Sequence, residues 1–137
     1  MGSLNYVPVL VAATVSFVFG GIWYHVFSKQ WLEAVGRSPD NLYMGKSSIG
    51  LYLLAFGSQL VMAWMLAGVL GHLGPGQVTL RNGIISGVFL WFGFVLTTMT
   101  VNNAFSGRKY TLTAINAGHW LAVLVVMGAI VGGMGLK

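Results

Sequence analysis

LTAINAGHWLAVLVVMGAIVGGMGL, residues Leu112–Leu136, runs for 25 residues without a charge and holds a histidine and an asparagine near its start. A bilayer core takes about 20 mostly apolar residues per crossing helix. Three further stretches, Leu4–Phe27, Ile49–Leu70 and Ile84–Val101, reach that length or come within a turn of it. With the polar residues at their ends included, the last two spans extend to 81–103 and 110–136. The reading is an all-α, four-helix transmembrane bundle built as one domain over residues 1–137.

Composition agrees. Charged residues are 7% of the chain and apolar ones 56%, against roughly 25% charged in an ordinary soluble domain. The only acids, Glu33 and Asp40, sit in one loop, so no carboxylate is available inside the membrane. Carboxylate proton relays are thereby excluded. The net charge of +5 is spread over loops and helix ends, without the basic run that tracks a nucleic-acid backbone. No cysteine is present, which removes disulfides, thiolate nucleophiles and Cys-ligated metals together. The first stretch lacks a basic leader and ends in bulky Trp23-Tyr24-His25, so it reads as a retained helix, not a signal peptide. Met1-Gly2-Ser3 fails as a myristoylation start, because Tyr6 stands where Ser or Thr is required.

The first loop, Ser28–Ser48, carries structure of its own. Trp31, Ala34 and Val35 recur at helical spacing, Glu33 and Arg37 stand i,i+4, and Gly36 can end the turn, which predicts a short interfacial helix. Ser38-Pro39-Asp40 reads as a cap, a first-turn proline and a first-turn acid, with a second helical turn reaching Met44. The other connections, Gly71–Gln77 and Ala104–Lys109, are short and impose antiparallel neighbours.

Five basic residues (Lys29, Arg37, Lys46, Arg108, Lys109) lie in the first and third loops and two (Arg81, Lys137) on the opposite side. Positive charge favours the cytoplasm, so these loops are expected inside and both termini outside. Trp23, Tyr24, Trp31, Tyr43 and Tyr110 would form an aromatic belt at that interface. Arg81 is expected to snorkel to the opposite headgroups.

Lipid tails give helices no hydrophobic reason to associate, so packing depends on small residues that let backbones approach. Such stripes are Ala12, Ser16 and Gly20; Ala63, Ala67 and Gly71; Gly83 and Gly87, continued through Gly93, Thr97 and Thr100; and Gly128 and Gly132. They predict a tight bundle and leave open whether the contacts lie within one chain or between copies.

Asn116, His119 and Trp120 fall within about 100° of arc on the fourth helix. A polar side chain at that depth needs a partner or a function. His25, Asn102 and Asn103 end their helices in the same leaflet, and Gln59 in the second helix is the expected buried partner of a polar group on another helix. Together they outline a polar cluster open toward the first and third loops. The same residues would also serve as plain interhelical bonds. Two histidines with no supporting carboxylate make poor metal or haem ligands, so no metal or cofactor is expected. His72, in a turn, reads as solvated. An enzyme is not expected, for want of a nucleophile with base and orienting group.

The fragments Gly20-Gly21-Ile22-Trp23-Tyr24 with Phe27, Lys29 and Trp31, then Phe105-Ser106-Gly107-Arg108, Ile115-Asn116-Ala117-Gly118-His119 and Met127-Gly128-Ala129-Ile130-Val131-Gly132 resemble, in order and spacing, the bacterial and fungal membrane family called domain of unknown function 1761. The resemblance covers nearly the whole chain. It implies a small four-helix membrane protein and brings no reaction with it. After Trp-Tyr, family members carry a Pro and a Gly, where this chain has His25-Val26-Phe27-Ser28; His25 is thus set apart from any shared role. The leading reading is a self-associating structural or accessory membrane protein; the alternative is a small-solute or ion carrier or channel using the polar cluster in the cytoplasmic leaflet. The partners expected are the lipid bilayer and further copies of the chain, with no nucleic acid and with any small-molecule ligand unnamed.

Overall fold

A computed structural model describes residues 5–137. Leu4 and the Met1-Gly2-Ser3 segment lie outside the described residues. The elements are α1 (Val7–Val26), α2 (Ser28–Val35), a 3₁₀ turn (Pro39–Asn41), α3 (Ser48–His72), α4 (Leu80–Leu90), a π-helical segment (Trp91–Leu96), α5 (Thr97–Phe105) and α6 (Tyr110–Met134). α4, the π segment and α5 run on as one 26-residue helix, Leu80–Phe105. Among the described residues, four helices are therefore long and apolar enough to cross a membrane. The chain is an integral membrane protein.

Local chemistry sets the ends. Pro8 opens α1, where its missing N–H would have had no helical partner. Ser47 Oγ accepts from Gly50 N (3.2 Å) at the start of α3, and Thr79 Oγ1 accepts from Asn82 N (3.1 Å) at the start of α4. α2 ends at Gly36 in the left-handed conformation (φ 73°), with Arg37 N bonded to Leu32 O and Gly36 N to Glu33 O, the paired C-terminal closure that glycine favours. The stop predicted there is the one found. Past Ser38 the chain makes only the 3₁₀ turn and then loop, and Met44 takes a positive φ of 50°, so no second helical turn reaches it. The termini meet: Asn5 N donates to Leu136 O (3.0 Å) and Asn5 Nδ2 to Lys137 O (3.3 Å). The bundle thus has a termini end and a loop end.

α6 is the hub, packed against every other long helix. Within its apolar window 44% of residues are buried, against 6% for Leu80–Phe105, which lies on the outside of the bundle. The termini half is closed by small and aliphatic residues: Ala12 and Ala13 from α1, Ala63, Leu66, Ala67 and Leu70 from α3, and Val123, Met127 and Val131 from α6, all within 1% of full burial. α4 meets α6 backbone to backbone. A Cβ added to Gly83 would run into the Gly128 carbonyl, one on Gly128 into the Gly83 carbonyl, one on Gly132 into the Thr79 carbonyl, and one on Gly87 would come 2.5 Å from Leu124 O. These stripes are used within the chain.

The third stripe does not continue. Gly93, Thr97 and Thr100 are exposed, because the π segment widens the helix between Gly87 and Thr97 and rotates everything beyond it out of the 3.6-residue phase. Thr97 Oγ1 donates to Gly93 O (2.9 Å), Thr98 Oγ1 to Phe94 O, and Thr100 Oγ1 to Leu96 O (2.6 Å), a competition for carbonyls that loosens the regular ladder. Gly71 is exposed as well, with only the Leu136 side chain near it.

Candidate functional site

Toward the loop end the packing changes character. Phe17 bridges α1 to α3 edge-on, 5.6 Å from the Phe56 ring centroid and 6.3 Å from that of Tyr52. Beyond it a cleft of about 1010 Å³ opens between α1 and α3, floored by α6 and covered by α2 and the loop after it. Its volume is at the upper end of ordinary ligand sites, roughly 300–1,000 Å³.

The floor is polar. Gln59 is 3% exposed and His119 4%; both line the cleft. His119 is wedged between two rings, 4.8 Å from Tyr24 and 4.6 Å from Trp120. Gly20 lets it in: a Cβ there would lie 2.7 Å from His119 Nε2. Asn116 Oδ1 accepts from the Tyr24 hydroxyl at 2.7 Å. Gln59 Oε1 and His119 Nδ1, however, have no hydrogen-bond partner. The expected bond between Gln59 and a polar group on another helix is absent. Ser16 Oγ, deeper in the bundle, is also unpartnered.

At 1.5 Å per residue, Gln59 lies ~16 Å into α3 and His119 ~13 Å into α6 from the loop end, close to the middle of a ~30 Å hydrocarbon core. Above them the cleft is lined by Ser58, Ala55 and Tyr52 of α3 and capped by Trp31, Arg37 and Tyr43. Its sides include Val18 and Leu54, 57% and 66% exposed, so it is bounded by lipid-facing residues as well as by the loop. His25 stands exposed at the rim.

Four loop-end residues expected elsewhere turn inward. Trp23 Nε1 donates to Ile115 O (3.2 Å) with its ring against Gly118, and Tyr24 binds Asn116, so both are packed into the bundle and not set in an interfacial belt. Arg37 leaves Glu33, lies 5.4 Å from the Trp31 ring and donates to Leu42 O at 3.3 Å. Tyr43 pairs with the Tyr52 hydroxyl at 3.0 Å, a bond that raises the Tyr43 pKa above the usual phenol value. Tyr110 alone of the five belt residues is fully outward, at 82% exposure.

Of the predicted cluster, Asn116, His119, Trp120, Gln59 and His25 come together at the cleft. Asn102 and Asn103 do not join them. They end α5, which meets α6 on a different face from α1 and α3; Asn103 Nδ2 donates to Thr113 Oγ1 at 2.9 Å, and Asn102 is exposed. Tyr24, Tyr52 and Arg37 are the cleft residues the spacing argument missed. Pairing a phenol with Asn116 was open to it, since Tyr24 and Asn116 end and begin adjacent antiparallel helices. Among the described residues, no group of three His, Asp or Glu side chains is placed to hold a metal ion.

Fold and cleft together define a small four-span membrane protein with a polar floor buried beneath its loop end. The chain belongs to the family described as protein of unknown function (DUF1761), whose model matches residues 7–132. Neither a curated protein nor a solved structure matches it.

Proposed function

We propose that the protein binds a small molecule in the loop-end cleft and serves as a binder or carrier of it in the membrane. The observation that supports this is the cleft itself, about 1010 Å³, with the polar residues Gln59, Asn116 and His119 in its lining. A channel through a single chain fits poorly, because the termini half is closed by Val123, Met127 and Val131, each at 0% exposure.

Filling the cleft tests this. Ala55→Trp should abolish the thermal stabilisation that a panel of membrane-soluble compounds gives the parent, and any small molecule that co-purifies with the parent by native mass spectrometry. A parent that responds to nothing and carries nothing would refute a ligand role.

On the charge count the cleft is expected in the cytoplasmic leaflet. Single cysteines at Ser38 and Ser106 should then be labelled by an impermeant reagent only from the cytoplasm, and one at Gly76 only from outside. Reversed labelling would move the cleft to the other leaflet.

The second reading, self-association as a structural or accessory protein, is favoured by one surface. Gly93 in the third span has nothing within 4 Å, and Phe89, Phe92 and Phe94 around it are 64–72% exposed. The Gly83 and Gly87 stripe and the Gly128 and Gly132 stripe are occupied inside the chain, whereas Gly93 is open to a second copy. Gly93→Leu should shift the mass distribution from oligomer to monomer; an unchanged distribution would remove this surface as the contact.

A further inference from the structure

The depth of the cleft and the placing of its charge limit what can occupy it. The α3 wall runs down to Gln59, ~16 Å from the loop end, and half of a ~30 Å hydrocarbon core is ~15 Å. The cleft is as deep as one leaflet. Its sides are aliphatic and aromatic, with Phe17 and Val18 on α1 and Leu51 and Leu54 on α3. The polar residues of the floor do not oppose a hydrocarbon occupant: Gln59 Oε1 and His119 Nδ1 are shut off from the cleft, each with under 1 Å² of accessible surface, and the Tyr24 hydroxyl is spent on Asn116. Val18 and Leu54 also face outward, so the cleft opens sideways to the bilayer between α1 and α3.

Charge lies at the mouth. Among the described residues that line the cleft, Arg37 alone carries one. Its Nη1 bond to Leu42 O uses a single N–H, and a guanidinium has five, in a fork that matches a phosphate. The Trp31 ring beside it is already covered by that guanidinium, at 5.4 Å, so the face is not left for a ligand cation such as choline. The mouth thus suits a negative group at headgroup level, with hydrocarbon below it.

We propose that the cleft seats an anionic phospholipid of the surrounding leaflet, with its phosphate at Arg37, one acyl chain between α1 and α3 along Phe17, Leu51 and Leu54, and the other chain out in the bilayer. This rests on the reading of the cleft as a ligand site. A soluble anion lacks the chain that the apolar walls would cover, and an uncharged amphiphile leaves Arg37 unmatched. A fatty acid matches Arg37 but makes no use of the lateral opening, which a second chain needs. Because the opening is lateral, the lipid enters and leaves within its leaflet, and the site is reversible.

The test uses the full chain in nanodiscs of phosphatidylglycerol and phosphatidylcholine with identical chains. Lipid retained when the protein is released is identified by native mass spectrometry in the parent, Arg37→Gln, Ala55→Trp and Arg108→Gln, the last changing a loop-end charge that does not line the cleft. The parent should keep phosphatidylglycerol in preference to phosphatidylcholine, and Arg108→Gln should keep it as well. Arg37→Gln loses bonds to a charged group and should weaken retention about tenfold. Ala55→Trp leaves Arg37 in place and should abolish retention, so the outcome does not hang on the folding of one variant. In neutral detergent, phosphatidylglycerol should raise the melting temperature of the parent, and inorganic phosphate and palmitate should not. Equal retention of phosphatidylcholine, equal losses in Arg37→Gln and Arg108→Gln, retention in Ala55→Trp, or stabilisation by phosphate or palmitate as strong as by phosphatidylglycerol would overturn the lipid and leave the cleft as a site for another molecule. No stabilisation by any membrane-soluble compound, with no co-purifying mass, would overturn both.

Discussion

The two ends of this bundle are built by opposite rules from the same four helices. In the termini half, Ala12, Ala63, Ala67, Gly83, Gly128 and Gly132 bring backbones together, and the interior is fully buried. In the loop half, Phe17, Tyr24, Tyr52 and Trp120 hold α1, α3 and α6 around a cleft, and polar atoms are left without partners. Small residues supply the association energy that lipid does not; large rings keep space open. The termini half holds the protein together, which frees the loop half to be imperfectly packed, as functional sites commonly are.

Substitutions that break the first rule should cost most. Gly128→Leu and Gly87→Leu drive a side chain into a backbone carbonyl that cannot move aside, and overpacking costs about 1–3 kcal/mol, occasionally more. Melting in detergent should fall sharply for both. Gly57→Leu, with nothing within 4 Å of its Cβ position, should melt near the parent. Equal losses at all three positions would show that glycine itself, and not backbone contact, matters here.

Smaller changes belong to the loop half. Gly20→Ala places a methyl against His119 Nε2, a side-chain neighbour that can shift, so a loss of about 1 kcal/mol is expected, together with a weaker thermal response to whatever fills the cleft. Asn116→Leu removes the Tyr24 bond, and interhelical bonds of this kind average about 0.6 kcal/mol. His119→Leu should be nearly neutral or stabilising. A large loss from His119→Leu would mean the ring is a structural wedge, and the contrast between the halves would weaken.

Much of the termini half was legible in the sequence because it depends on periodicity alone: apolar length located the spans, and small residues four apart marked the faces of α4 and α6 that meet, though not that they meet each other. The phase argument failed where the helix stopped being regular. Nothing local in Trp91–Leu96 announces a π segment, and Gly93, Thr97 and Thr100 therefore stand outside where a uniform helix would bury them. The apolar core of the third span starts only at Ile84 because Arg81 and Asn82 are polar, and counting those polar ends brings the start to 81, one residue from Leu80, where Thr79 caps the helix. In the candidate site, Asn116, His119, Trp120 and Gln59 were visible as polar or mixed residues out of place in a span. Asn102 and Asn103 share their depth but not their side of α6, and depth is all that counting residues gives. Arg37 was assigned to Glu33 by spacing, whereas the chain reverses at Gly36 and carries it toward Leu42 and Trp31. Loop closure over a cleft is a tertiary event without a local signature.

The difference in openness between the two halves is best measured by paired cysteines, since the chain has none of its own. In native membranes Ala55→Cys, on the cleft wall, should react with a small water-soluble maleimide, while Ala67→Cys, at 0% exposure in the termini core, should stay protected until the protein is unfolded. Protection at both positions would mean that the loop half is as closed as the rest, and the account of a ligand-accessible cleft would be contradicted.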